Sequence, residues 1–223
     1  MFVFPAHILT PARVRLFRQQ VVLSGGESLG GDEDTIETDG GGLWVVEYEG
    51  VSLVDARQAR VWAAWNEYLT GGYARCLVPL LTFATGPRPG VSSWAPKKPS
   101  GLHYDDPEWP TFMRYSRRDH EAEFAAAAAL RDTALTLQTT RGPNFQSGQI
   151  FSYGEGRAHR ILRTDGENVS VRPPLRGPVD AGTPVSFDFP LLRAKMDPRQ
   201  DFTAPLARGR SGEVSIRFVE AIS

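Results

Sequence analysis

Between Phe145 and Met196 no apolar run is long and uninterrupted enough for a helix, and this stretch constrains the fold most. Ile150 and Phe151 lie between Gly148 and Gly154, too close together for helical turns. Asp165-Gly166 is a tight-turn dipeptide, because glycine reaches the positive φ that a hairpin turn needs. Val169 and Val171 alternate with Ser170 and Arg172, the period of a half-buried strand. Pro173-Pro174 has no N–H to give, so that strand stops there or runs along an edge. The stretch reads as a small antiparallel sheet, curled or packed on itself, and it carries nothing with the character of a reaction centre.

The rest of the chain repeats the pattern. Arg13 to Arg18 and Val21 to Leu23 read as strand closing at Ser24-Gly25-Gly26. Glu27 to Gly42 reads as an acidic loop holding Asp32, Glu33, Asp34, Glu37 and Asp39. From Leu43 to Leu53, Trp44, Val46 and Tyr48 share one face of a strand, with Val45, Glu47 and Glu49 on the other. One helix is expected over 55–69, with Asp55 as N-cap and Gly71-Gly72 as stop. Its apolar face is Val61, Trp65, Tyr68 and Leu69, flanked by Trp62. Tyr73 to Thr82 returns as strand, where Pro79 points to an edge or a bulge. For Ala125 to Ala129 propensity favours helix while Thr133 to Thr139 beside it favours strand, and both stay open. Val214, Ile216 and Phe218 line one face of a last strand. The expected organisation is strands plus a helix over 1–85, an insertion over 86–120, and a β-rich half over 121–223 that completes a sandwich or forms a small barrel.

Residues 86–118 stand apart. Pro87, Pro89, Pro96, Pro99, Pro107 and Pro110 are interleaved with Trp94, Trp109, Phe112 and Tyr115, which have no periodic home. Aromatic side chains in a long irregular loop serve as interface anchors or pack on their own domain. Deleting this loop is expected to leave a folded monomer that fails to assemble.

Several function classes receive no support. The 223 residues carry a formal net charge of −1, so no overall basic field attracts nucleic acid. Cys76 is the single cysteine, which excludes an intrachain disulfide, and its apolar setting reads as a buried small hydrophobe. Met1 to Phe4 is apolar but Pro5 interrupts it at once, unlike a secretory leader. His103, Asp105, Asp106 and His120 lack the spacing of a metal site, and Asp105 and Asp106 point to opposite sides of an extended chain. Neither a phosphate-binding glycine loop nor a nucleophile elbow occurs. No catalytic residue, cofactor or metal is expected.

Pro173-Pro174-Leu175-Arg176 followed by Gly182-Thr183-Pro184-Val185-Ser186-Phe187-Asp188 resembles the distal tail proteins of long-tailed, siphovirus-like bacteriophages and prophages. The resemblance extends through Leu130 to Thr133, Gly148 with Phe151, His159-Arg160-Ile161, Leu191 to Met196 and Phe218 to Ala221. In the first half it takes in Gly40 to Trp44, Trp62 to Trp65 and Gly71-Gly72. It implies a mainly β fold, a tail-tube-like β-sandwich or barrel with one flanking helix and a second small antiparallel segment. It implies a virion structural protein, made in the host bacterial cytoplasm, that forms a ring, commonly a homohexamer, between the tail tube protein and the baseplate hub protein. DNA would pass through the channel without specific binding, with Asp32, Glu33 and Asp34 facing it. The alternatives are a hub or tube protein of the same tail, or a tail-tip cell-wall hydrolase.

Overall fold

The computed structural model describes residues 1–20, 22–27, 30–31, 33–37, 41–81, 120–198 and 212–222. They form a mainly β protein with a single helix among the described residues, as expected. One sheet has six strands in the spatial order β1 (Phe2–Val3), β6 (Arg75–Pro79), β13 (Leu191–Met196), β14 (Gly212–Glu220), β5 (Leu43–Leu53) and β2 (Arg13–Gln19). Only the β1–β6 pair is parallel. A closed barrel is built from β7 (Glu121–Phe124), β8 (Ala134–Arg141), β9 (Ile150–Tyr153), β10 (Arg157–Asp165), β11 (Asn168–Arg172) and β12 (Pro184–Ser186). The barrel therefore lies in sequence between β6 and β13, and the chain returns from it to the sheet. Leu191–Met196 belongs to the sheet instead of the small antiparallel unit that Phe145 to Met196 was expected to form.

Alternation sets the sheet. Trp44, Val46 and Tyr48 of β5 and Val214, Ile216 and Phe218 of β14 are buried on one face. The helix α1 (Ala56–Leu69) covers that core with Trp62 and Leu69 buried and Val61 and Trp65 partly so. Those two buried positions are seven apart, two helical turns along one face. Tyr68, expected on that face, is 38 % exposed and lies beyond its margin. Asp55 caps the helix by accepting from the Gln58 N–H at 2.7 Å.

Three other expectations change. Ser24-Gly25-Gly26 does not end a strand. It lies inside β3 (Val22–Glu27), which pairs with β4 (Glu33–Glu37), so part of the expected acidic loop is a hairpin. Ala125 to Ala129 is neither helix nor strand. It bends after β7 and makes one bridge, Ala128 to Val179, because the chain must turn there to keep the barrel closed. Pro79 ends an interior strand: β1 pairs with Cys76 and Leu77, so among the described residues no ladder partner on that side needs the missing N–H.

The Asp165-Gly166 turn joins β10 to β11 with Gly166 at φ 63°, and Val169 and Val171 are buried in the barrel as their alternation requires. Strands β9 and β10 are walls shared by two cores. Ile150 and Ala158 join the core under the sheet, while Phe151 and Ile161 join the barrel core.

Candidate functional site

Sheet and barrel are joined by a buried polar seam. Glu220, at the end of β14, has a side chain only 2 % exposed, and Arg176, after the barrel strand β11, one of 7 %. Their closest approach is 3.3 Å. Glu220 also accepts from the Trp44 backbone N–H at 3.1 Å, and Arg176 donates to the Gly42 carbonyl. The Trp44 indole N–H donates to the Ala158 carbonyl at 2.9 Å. Arg157 donates to the Ile222 carbonyl at 2.8 Å, and the Arg193 N–H to the Gly156 carbonyl at 2.8 Å. Gly156 (φ 82°) is needed here, because a Cβ would stand 2.7 Å from both Arg193 N and a Leu77 methyl. Most of these partners are far apart in sequence, so the seam registers one unit on the other.

Beside the seam, Arg160 of β10 lies over the Trp44 ring, 5.1 Å from its centroid. Its Cα partner across the strand pair is Arg172. Burial, then the charge of Arg18, lowers the Arg160 pKa. Its Nε is buried without a hydrogen-bond partner. Among the described residues the guanidinium is thus held by the Trp44 ring and not by a carboxylate.

The outer face of the sheet carries an open groove of about 850 Å³ beside Arg13, Glu47, Glu49, Asp197, Glu213 and Arg217. Its charges are largely matched: Arg15 pairs with Glu49 at 3.2 Å, and Arg217 reaches Glu47 at 3.6 Å and Asp197 at 3.5 Å. Such a face is a solvated, salt-bridged surface more than a reaction centre. Cys76 is fully buried and its thiol is pushed up to about 12 by desolvation, so it is not a thiolate nucleophile. Among the described residues no group of three His, Cys, Asp or Glu side chains is placed to hold a metal ion. No helix among them is long and apolar enough to cross a membrane.

Trp94, Trp109, Phe112 and Tyr115 lie outside the described residues, as does Asp32. Glu33 and Asp34 stand at the start of β4. Sequence reading missed an aromatic surface at the β1 edge. Phe2 is 68 % and Tyr73 80 % exposed, and Phe2 meets Tyr68 edge-on at 5.8 Å. Rings run inward from there through Trp65 and Phe4 to Phe218. The signal available was Phe2-Val3-Phe4, which only the start of a strand explains. The Arg160–Trp44 and Arg176–Glu220 contacts had no signal, since no local spacing relates residues more than 40 positions apart. Comparison with protein-family models and with curated proteins gives no match.

Proposed function

We propose that this chain is a structural component of a phage tail tip, a distal tail protein that closes into a ring between tail tube and baseplate hub. The reading rests on the residue resemblance, and one observation of the fold supports it most. The six-stranded sheet ends, among the described residues, on two free edges, β1 and β2, and the β1 edge carries exposed Met1, Phe2 and Val3 beside Tyr68 and Tyr73. A free edge with apolar side chains invites pairing with another chain, and a head-to-tail ring covers such surfaces in every copy. The seam supports the same reading, because a ring subunit has to hold its two units in one orientation under load.

The test is the mass of the purified protein by light scattering with negative-stain images, alone and after mixing with the tube and hub proteins of the same tail. Annular particles of about six copies, alone or on those partners, are the expected result. A monomer that binds neither partner overturns the reading.

A further inference from the structure

We infer that Leu130 and Arg131, at the tip of the turn between β7 and β8, form an anchor that docks on another tail protein, with Leu130 entering an apolar site and Arg131 meeting a carboxylate at its rim. The inference rests on the tail reading above and names the surface by which a ring subunit meets the next component of the tail.

The turn runs from Ala129 to Asp132, and the Asp132 N–H donates to the Ala129 carbonyl at 3.2 Å. Its third residue, Arg131, has φ 71°, the one non-glycine residue with positive φ among those described. Such a turn takes glycine most readily at that place, because a Cβ crowds the neighbouring carbonyl. Surrounding bonds hold the backbone there all the same. The Asp132 carboxylate accepts from the Ala129 N–H at 2.7 Å. The Leu175 carbonyl accepts from the Arg131 N–H at 2.9 Å, and the Leu175 N–H donates to the Asp132 carbonyl at 3.0 Å. Leu175 is buried in the barrel core, so the tip is fastened to a fixed point. A disfavoured backbone conformation persists where the structure around it over-determines it, and such places concentrate at sites of function.

The chain's own fold gains nothing from the arginine. Its side chain is exposed and makes no hydrogen bond, ion pair or ring contact among the described residues. Leu130 beside it is 57 % exposed. Ala125 to Ala127 and Ala129, which lead up to the tip, are exposed and too short to cover it.

The two side chains together select the partner. A phosphate would satisfy Arg131 and leave Leu130 in water. A purely apolar surface would bury Leu130 and strand the guanidinium without an anion. A protein surface with a carboxylate at the margin of an apolar site satisfies both, since the guanidinium fork matches a carboxylate in paired geometry. The pinned turn has little backbone freedom left to lose on binding. The tip belongs to the barrel and to neither free edge of the sheet, so a ring closed through those edges leaves it available.

The experiment measures binding of the full chain to the tube protein and to the hub protein by calorimetry, with light scattering for ring formation. Arg131→Gly is expected to weaken binding to one of them about tenfold or more. The same change is expected to raise the melting temperature by about 2 °C, because the turn gains its preferred residue. Arg131→Glu keeps the disfavoured conformation and reverses the charge, so it loses at least as much binding without the gain in melting temperature. Leu130→Ser is expected to weaken binding to the same partner. Binding of wild-type strength in both Arg131 variants overturns the anchor and leaves the ring reading standing. A melting temperature lowered by Arg131→Gly overturns it as well, because the side chain would then serve its own fold. Duplex DNA retarded by the wild type and not by Arg131→Glu, with protein binding intact, assigns the tip to phosphate and overturns the protein contact. Rings of a wild type that binds neither partner overturn the anchor alone. A wild-type monomer that binds neither overturns both readings.

Discussion

The core under the six-stranded sheet is filled by Val46, Val51, Val78, Leu192 and Ile216 around Phe4, Tyr48 and Phe218, whereas the barrel core is strung with rings that include two imidazoles. In the first core the ring polar tips of Tyr48 and Trp44 are satisfied. The Tyr48 hydroxyl donates to the Pro79 carbonyl and the Trp44 indole to that of Ala158. In the barrel His120 is stacked 4.3 Å from Phe187, and both its ring nitrogens are buried without a partner. His159 is stacked on Tyr153 at 5.5 Å, and its Nδ1 lies 2.7 Å from the Pro173 carbonyl. That contact requires the Nδ1–H tautomer, which leaves Nε2 as a buried acceptor with nothing to accept. Two cores of one chain thus differ in how completely their polar atoms are paired, and a buried unpaired atom is where a protein is sensitive to its medium.

The seam decides whether that difference is felt across the molecule. Glu220→Ala removes the buried carboxylate that Arg176 and the Trp44 N–H share. Removing one side of a buried ion pair costs about 3–5 kcal/mol, more than the pair itself contributes. Urea unfolding followed by circular dichroism is expected to lose that amount. It is also expected to change from one transition to two, with barrel and sheet melting apart. A single transition of unchanged midpoint would mean that the units are coupled by the shared walls β9 and β10 alone.

Acid separates the two cores next. Desolvation lowers the His159 pKa from an ordinary 6.5 to about 4, offset in part by the Pro173 carbonyl and reinforced by the charges of Arg176 and Arg157. His120 is lowered in the same direction by desolvation, against the opposing charge of Asp188. Both imidazoles bind protons more readily unfolded than folded. Their neutral forms therefore leave stability intact above the unfolded pKa, and stability falls as pH drops from about 6.5 towards 4. For His159 the loss over that window is roughly 3 kcal/mol. Hydrogen exchange at pH 7, 5.5 and 4.5 is expected to show protection falling in the barrel strands before β5 and β14. His120→Phe removes two unpaired nitrogens from an aromatic stack, and it is expected to raise barrel stability at pH 7 and flatten its acid slope. Equal loss of protection in both units would place the acid-labile groups elsewhere.

The parts of this arrangement that were legible are those in which neighbours in sequence are neighbours in space. The helix over Ala56–Leu69, the Asp165-Gly166 hairpin and the burial of Val169 with Val171 follow from local periodicity and turn chemistry. The β3–β4 hairpin was missed because acids and glycines are poor strand formers, so composition pointed to a loop. The alanine run has high helix propensity, yet barrel closure bends it at Ala125 and Ala126, a tertiary demand that outweighs about half a kcal/mol per residue. The membership of Leu191–Met196 was hidden because a strand's alternation records that one face is buried, not which sheet buries it. Arg160 over Trp44 was hidden for the same reason: a cation and a ring more than a hundred positions apart share no pattern.

The smallest expected effect tests the satisfied side of the comparison. Tyr48→Phe keeps the ring among Phe4 and Phe218 and removes only the hydroxyl. Burial pushes the Tyr48 phenol well above its ordinary pKa, so the group is a neutral donor throughout the working range. The Pro79 carbonyl it serves is buried where β6 ends against β13. The loss should be about 1–2 kcal/mol, the penalty of one buried acceptor left unpaired. Because the phenol does not titrate between pH 4 and 7, the whole stability-against-pH curve should move down by a constant amount with its acid slope unchanged. Urea denaturation of wild type and variant at pH 7 and pH 5 measures both quantities. A slope that changes with Tyr48 would mean that the sheet core shares in the acid response, and the division of labour between the two cores would then be wrong.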